Sequence, residues 1–138
     1  MKGGTNANGT TVEYFQMTAV SGLVVIYNEY CWADDKTVHI DVDMANSSGG
    51  DIAGGTQLTN IPDAYLPVAI YGIYPIFEVQ FLNGVQAYGG IGWYNRKGIF
   101  LDSAMPNGAR FRLSYTYPRG GGSKLIRRLL SIFRRERR

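Results

Sequence analysis

The sequence has few of the side chains that commonly carry catalysis. Among 138 residues there is one cysteine, Cys31, and one histidine, His39. A single cysteine cannot form an intramolecular disulfide, which argues against a small fold held together by disulfides. No Gly-x-Ser-x-Gly nucleophile elbow and no Gly-x-x-x-x-Gly-Lys phosphate loop occurs. These absences favour a protein that is not an enzyme and that uses no cofactor and no metal.

Long hydrophobic runs are also missing. No segment reaches the roughly 18 consecutive apolar residues that a membrane-spanning helix needs, so we expect no such helix. The first residues, Met1–Asn6, lack the apolar core of a signal peptide. We therefore expect synthesis in the cytoplasm without a signal peptide.

Glycine and tyrosine are abundant, with 18 and 10 copies. This composition favours short strands joined by tight turns. Apolar residues alternate with polar ones in three runs, which predicts strands with one buried face. These runs are 38–44, 77–81 and 111–117. The longer apolar run 23–31 predicts a largely covered strand.

Turn signals separate these runs at short intervals. Asn83-Gly84 is a strong hairpin signal, because both residues tolerate positive φ. Residues 33–36 and 95–98 predict two more turns, the second joining strands at 91–94 and 99–101. The two prolines that bracket 61–67 exclude a regular helix and a central strand there. Seven or eight short strands at this spacing predict an all-β, antiparallel jelly roll or β-sandwich.

The charge is divided between two unlike parts. Residues 124–138 contain seven basic side chains and one acidic one, a net charge of +6, whereas residues 1–123 contain seven basic and ten acidic ones, a net charge of −3. The mildly acidic body has no basic groove suited to specific nucleic acid binding.

We divide the chain into a lead-in at 1–10, a β-sandwich head domain at 11–119, a glycine-rich linker at 120–123 and a basic helix at 124–138.

The C-terminal segment has the pattern of an amphipathic helix. Five large apolar residues fall on one predicted face, and the basic residues lie mostly off it. We predict that this helix binds an anionic membrane or a groove on another protein, because five large apolar side chains exceed what phosphate binding requires. The residues assigned to this contact are Leu125, Ile126, Arg127, Arg128, Leu129, Leu130, Phe133, Arg134 and Arg135. A disordered basic terminus is the plain alternative.

Several short motifs resemble those of one known protein family. They are Gly54–Leu58, the turn Ile61–Pro67, the paired Gly90-Ile91 and Gly98-Ile99, and the aromatic strand Phe111–Tyr117. Together they resemble the C-terminal head domain of bacteriophage tail-fibre and baseplate receptor-binding proteins. The sequence departs from that pattern at Ala64, where glycine is usual, and at Leu66, where a basic residue is common.

The resemblance implies a jelly-roll head that forms a homotrimer and attaches a virion to a host surface glycan or protein. We therefore expect the protein in the tail or another surface appendage of the virion. We expect its C-terminal helix to serve as an anchor on another virion protein or as an added functional peptide. A glycine-rich linker before a basic helix is equally typical of an engineered fusion. The alternative is therefore a multimeric carrier domain fused to a membrane-active or groove-binding peptide.

Two predicted hairpin tips combine aromatic and polar side chains, as glycan sites do. Sugar rings pack their C–H faces on tryptophan and tyrosine, while polar side chains fix the hydroxyl groups. The glycan candidates are Trp32, Asp34, Asp35, Trp93, Tyr94, Asn95 and Arg96. The alternative places both tryptophans in the core or in a subunit contact and makes the tips ordinary turns. Tyrosines 65, 71, 74 and 88 suit a subunit interface or the core better than a site.

One strand carries a candidate for catalysis or metal binding. His39, Asp41 and Asp43 share the polar face of the strand, so they could act as metal ligands or as an acid/base set. An exposed polar face on an outer strand explains the same pattern, and we prefer that explanation. Cys31, between two aromatic residues, is expected to be a buried small apolar side chain.

Overall fold

A computed structural model of the chain describes residues 4–5, 11–70 and 74–120. These residues form eleven strands and one short 3₁₀ turn at Asp63–Tyr65, which confirms the predicted all-β class. The strands are β1 (Gly4–Thr5), β2 (Thr11–Phe15), β3 (Thr18–Ala19), β4 (Val24–Glu29), β5 (Cys31–Ala33), β6 (Thr37–Asn46), β7 (Thr59–Asn60), β8 (Ile76–Gln80), β9 (Gln86–Ile91), β10 (Ile99–Leu101) and β11 (Arg110–Pro118).

The larger sheet is antiparallel and is centred on β6. One edge of β6 pairs with β11 over its length, and the other edge pairs with β4 and then β5. Strand β2 pairs with β5, and β1 extends the sheet beyond β2. The strand order is therefore β1-β2-β5-β6-β11, with β4 beside β6.

A second antiparallel sheet has the order β10-β9-β8, and a third contains only β3 and β7. The predicted Asn83-Gly84 hairpin is confirmed, because Gly84 has a φ of 88° and the turn joins β8 to β9. The strand predicted at 91–94 is corrected: β9 ends at Ile91, and residues 93–96 form a bend. The long run 23–31 is divided into β4 and β5, and its tyrosines are exposed.

One hydrophobic core lies between the two main sheets. Alternate residues of β6 and β11 supply one side, and alternate residues of β8 and β9 supply the other, as period-two patterning requires. The core members include Val38, Ile40, Val42, Met44, Phe111, Leu113, Tyr117, Phe77, Val79, Phe81 and Ala87. In the described part of the chain, no buried side-chain nitrogen or oxygen lacks a hydrogen-bond partner.

The end of β11 is fixed by Arg119, which is buried. Its guanidinium donates to the carbonyl oxygens of Asp34 and Ala64 and to a carboxylate oxygen of Glu13, at 2.7, 2.9 and 3.0 Å. The guanidinium carbon also lies 5.0 Å from the centre of the Tyr65 ring. These contacts join β2, the β5–β6 turn and the 3₁₀ turn at the point where we place the end of the head domain.

Candidate functional site

The outer face of the larger sheet carries a row of side chains across four strands. Tyr14 on β2 lies opposite Trp32 on β5, Trp32 lies opposite His39 on β6, and His39 lies opposite Thr116 on β11. The core-facing neighbours of these residues fill the other face, because side chains alternate along each strand. The row therefore lies on the side of the sheet that faces away from the core.

Four rings form a cluster on this face, which we call the aromatic cluster: Tyr14, Tyr30, Trp32 and His39. The Tyr14 and Tyr30 ring centres are 5.8 Å apart, and the Trp32 and His39 ring centres are 5.4 Å apart. Tyr30 is 56% exposed. Its hydrogen bond with Tyr14 raises the pKa of the Tyr30 phenol above the ordinary value.

A β-bulge in β4 turns Tyr30 outward. The register of β4 against β6 shifts between Ile26 and Asn28, which inserts one extra residue at Tyr27 and reverses the faces of the residues that follow. Asn28 lies opposite Asp43 on the outer face, whereas Glu29 lies opposite core-facing Val42. Simple alternation along 23–31 therefore gives the wrong face on one side of the bulge.

Two arginine–aspartate pairs lie beside the aromatic cluster, and we call them the outer ion pairs. Arg112 donates to both carboxylate oxygens of Asp41 at 3.1 and 3.0 Å, and Arg110 donates to both oxygens of Asp43 at 2.8 and 2.6 Å. These hydrogen bonds hold the pKa of each carboxyl group below its ordinary value. Each pair joins β6 to β11 diagonally, in the bidentate geometry that fixes both partners.

The Arg110 guanidinium also packs on an aromatic ring. Its central carbon lies 4.3 Å from the centre of the Tyr27 ring, at the bulge of β4. Cation–π contacts of this kind hold the guanidinium plane in place. The Arg110 guanidinium is therefore fixed by the Asp43 carboxylate on β6 and by the Tyr27 ring on β4.

A hollow of about 280 Å³ lies between Tyr30 and the outer ion pairs. It is lined by Asn28, Glu29, Tyr30, Asp41, Asp43 and Arg112. One wall is thus aromatic, and the others offer an amide, carboxylates and a guanidinium. This combination can stack an apolar ring face and hydrogen-bond several hydroxyl groups at the same time.

Glu29 points into the protein and is half-buried. Burial raises the pKa of its carboxyl group, and a hydrogen bond of 3.1 Å from the backbone N–H of Met17 partly opposes that effect. The Cys31 sulfur lies 3.9 Å from the same carboxylate oxygen, and burial raises the pKa of the thiol to about 12. Cys31 is buried, as predicted, and stays a neutral thiol.

The residues of the first predicted hairpin tip have different roles: Asp34 stabilises the turn, whereas Asp35 and Trp32 lie at the surface. One carboxylate oxygen of Asp34 accepts hydrogen bonds from the backbone N–H groups of Lys36 and Thr37 and from the Thr37 hydroxyl. Although partial burial opposes it, these bonds lower the pKa of Asp34. Asp34 therefore builds the β5–β6 turn, Asp35 is exposed, and Trp32 lies on the outer face.

The second predicted tip belongs to the smaller sheet. Trp93 packs partly against the core and lies 6.3 Å from Tyr74, measured between ring centres. Arg96 places its guanidinium 3.7 Å from the centre of the Phe100 ring and donates to the Gly55 carbonyl at 3.1 Å. The structure therefore places Trp93, Tyr94, Asn95 and Arg96 in the connection between β9 and β10 of the smaller sheet, whereas Trp32 and the Asp34 turn belong to the larger sheet.

The candidate metal or acid/base set of His39, Asp41 and Asp43 lies on the outer face, but each of the three side chains is bonded to a residue outside the set. His39 shares a hydrogen bond of 2.9 Å with the Thr116 hydroxyl, and both aspartates are held by arginines. Within the residues described, no group of three histidine, cysteine, aspartate or glutamate side chains is placed to hold a metal ion.

The four tyrosines that we expected at a subunit interface or in the core, at positions 65, 71, 74 and 88, do not share one environment. Tyr65 stacks on Phe15 with ring centres 4.0 Å apart, and Tyr74 meets Phe100 edge-on. Tyr88 is exposed on β9. Tyr71 lies outside the described residues, and so do the linker at 121–123 and the helix predicted at 124–138 with all its assigned contact residues.

Several members of the outer face were missed by sequence analysis: Tyr14, Asn28, Tyr30, Arg110 and Arg112. The alternation in 110–117 already places both arginines on the polar side of β11, but it does not show that β11 pairs with β6, which carries the aspartates. The bulge in β4 interrupts the alternation that would have placed Tyr30 on the outer face. Tyr14 is brought to this face by the pairing of β2 with β5, which no local sequence pattern predicts.

The structure defines an antiparallel all-β protein with an aromatic and charged outer sheet face. In comparisons with known proteins, no family model, no curated protein and no solved structure matches the chain. Within the described residues, no helix has the length and apolar character needed to cross a membrane.

Proposed function

We propose that this chain is a non-enzymatic attachment module that binds a surface carbohydrate on the outer face of its larger sheet. The observation that carries this proposal is the hollow between Tyr30 and the outer ion pairs. The Tyr30 ring presents a flat apolar surface there, and fixed donors and acceptors stand beside it. Sites that orient small polar ligands combine these same two features.

The fixed polar groups support a hydroxylated ligand in particular. Each outer arginine uses two N–H groups on its aspartate and keeps three more for other acceptors. Each aspartate oxygen also retains acceptor capacity toward a hydroxyl donor. Because the pairs are already formed, a ligand meets these groups without first having to order them.

The sequence resemblance favours the same kind of function. We propose that the two sheets form a jelly-roll head of a virion appendage, and that the carbohydrate lies on a host surface. The segment 124–138 enters this proposal on its sequence pattern alone, as the part that docks on another virion protein or on a membrane. The catalytic alternative is disfavoured because His39, Asp41 and Asp43 have other partners.

We also propose that the chain is a homotrimer, as the resemblance implies. Ile76 on β8 and Tyr88 on β9 are 72% and 58% exposed and lie on the same outward face of the smaller sheet. Large apolar side chains exposed together are typical of interfaces between subunits. Light scattering during size-exclusion chromatography tests this, with a mass three times that of the chain expected and a monomer at micromolar concentration contradicting it.

Affinity gel electrophoresis tests the carbohydrate proposal. The full chain is run in gels that contain dextran, mannan, galactan or xylan, and at least one polysaccharide is expected to slow it. Tyr30→Ala is expected to weaken that binding about tenfold, since losing roughly 1.4 kcal/mol of ring stacking corresponds to a factor of ten. Tyr94→Ala is the matched control, because Tyr94 is also exposed but lies in the bend between β9 and β10 of the other sheet. Equal loss in both variants, or no retardation at all, contradicts the proposal.

A further inference from the structure

The hollow beside Tyr30 has a neighbouring hollow on the other side of the outer ion pairs. A second hollow of about 460 Å³ is lined by Asp43, Gln80, Leu82, Arg110, Phe111 and Arg112. The two hollows share Asp43 and Arg112. They are therefore adjacent, and together they extend from Tyr30 across β6 and β11 to Gln80 and Leu82; we call the two hollows the groove.

The far end of the groove lies beyond the edge of the larger sheet. The backbone N–H of Leu82 donates to the Arg110 carbonyl at 3.1 Å, so the chain that leaves β8 runs beside β11. Leu82 is 81% exposed there, although it is a large apolar side chain. It can offer an apolar surface to a ligand in the groove, as Tyr30 does at the other end.

The length of the groove exceeds one sugar ring. Neighbouring strands are about 4.8 Å apart, so the step from Tyr30, which pairs with Asp41, across β6 to β11 covers about 10 Å. Leu82 lies one chain further. A single ring could fill only the hollow at Tyr30. Contact with both ends requires several linked rings that lie across the strands.

The groove carries no excess of positive charge, because its lining has three carboxyl groups and two guanidinium groups. Asp41 and Asp43 are each paired with an arginine, and the two arginines are the only cationic side chains that line either hollow among the described residues. Glu29, which also lines the first hollow, adds no positive charge. An anionic ligand would therefore meet no uncompensated cation and would have to compete with the aspartates.

We propose that the groove binds an internal stretch of a neutral polysaccharide, with three or more linked rings spanning from Tyr30 to Leu82. This inference rests on the proposed function and names the class of carbohydrate that the same face takes. The rings nearest Tyr30 stack on the aromatic cluster, the middle rings exchange hydrogen bonds with the outer ion pairs, and the last ring packs on Leu82 beside Gln80.

Isothermal titration calorimetry with size-graded fragments tests the length of the site. The fragments, from one to six rings, are prepared from the neutral polysaccharide that slows the full chain in gels. We expect affinity to rise with each ring up to at least three. Leu82→Ala is expected to weaken binding of the longest fragment by about threefold or more, by loss of apolar contact, and to leave the shortest unchanged. Val85→Ala, in the same hairpin turn, is the matched control.

A second arm tests the charge of the ligand. The same polysaccharide is compared with its carboxymethylated form, and only the binding that Tyr30→Ala removes is counted, because the +6 segment at 124–138 attracts polyanions by itself. We expect this fraction to favour the neutral form by about tenfold.

The outcomes separate the two proposals. If one ring binds as tightly as the long fragments, if Leu82→Ala has no effect on them, or if the carboxymethylated form binds equally well, the inference of a long neutral ligand is overturned while the carbohydrate site stands. If no carbohydrate shows binding that Tyr30→Ala removes, the proposed function itself is overturned.

Discussion

Trp32 and His39 lie directly opposite each other on β5 and β6, with their ring centres 5.4 Å apart and their planes 28° from parallel. The imidazole is held on its other side by the Thr116 hydroxyl on β11. The only histidine of the chain is therefore part of a side-chain row that crosses the sheet. The ring contact and the hydrogen bond give this histidine two structural partners on the polar strand face.

The hydrogen bond between Tyr117 and Tyr65 is expected to contribute measurably to stability. The buried Tyr117 hydroxyl donates to the Tyr65 carbonyl oxygen at 2.8 Å. Tyr117→Phe removes this donor and is expected to lower the free energy of unfolding by about 1 kcal/mol. Urea unfolding measures the change. Tyr94→Phe alters an exposed tyrosine and should have almost no effect, so a comparable loss in that control would contradict the assignment.

Asp34 and Asp35 are adjacent but are expected to behave differently. Asp34→Ala removes the acceptor of three hydrogen bonds in the β5–β6 turn, and we expect a loss of about 1–2 kcal/mol in the free energy of unfolding. Asp35→Ala changes an exposed side chain, so its effect should stay within about 0.5 kcal/mol. Thermal or urea unfolding of both variants decides the matter, and equal effects would show that the turn does not depend on Asp34.

Gly98 is expected to tolerate no side chain. A Cβ atom at this position would lie 1.8 Å from the Thr59 carbonyl oxygen, whereas at Gly50 it would meet nothing within 4 Å. Gly98→Ala must therefore displace backbone between β7 and β10 and is expected to cost about 1–3 kcal/mol. Gly50→Ala is the control. A Gly98→Ala protein as stable as the parent would mean that the two segments do not approach so closely.

Glu29 is expected to give stability a dependence on pH. Burial raises the pKa of its carboxyl group in the folded chain. At a pH between the pKa of the unfolded chain and the pKa of the folded chain, the native state therefore binds more protons than the unfolded state. Stability should therefore fall as pH rises through that window, just above the ordinary carboxyl pKa. Glu29→Gln removes the titrating group and should flatten this part of the profile.

Urea unfolding from pH 4 to pH 7, in parent and variant, gives the comparison. Asp34, Asp41 and Asp43 have lowered pKa values, so their contributions are lost at lower pH and are common to both proteins. Parallel profiles for parent and variant would contradict a raised pKa at Glu29.

Local patterns in the sequence were sufficient for much of the fold. Alternation identified β6, β8 and β11 and correctly assigned their buried faces, and Asn83-Gly84 marked the β8–β9 hairpin. The bulge at Tyr27 was not predictable, because one extra residue leaves no mark in composition, and it determines that Glu29 points inward and Tyr30 outward. The pairing of β2 with β5 depends on residues distant in sequence, so Tyr14 could not be placed beside Trp32.

The candidate site was predicted only in part for the same reason. Alternation tells which residues share a face of one strand, but it does not tell which strands share a sheet. Trp32 and Trp93 have similar sequence surroundings, yet one joins the aromatic cluster and the other packs on the smaller sheet near Arg96. The arginines that complete the site were visible in the alternation of β11, and their partners became evident only from the β6–β11 register.

The position of the ligand on the protein tests the central claim most directly. A ¹⁵N-labelled full chain is titrated with fragments of the neutral polysaccharide that binds it, and amide chemical shifts are followed by NMR. The account predicts that the largest changes occur around Tyr30, Trp32, His39 and Arg112 on the larger sheet. Changes concentrated at 93–96 on the smaller sheet, with the larger sheet unaffected, would contradict it.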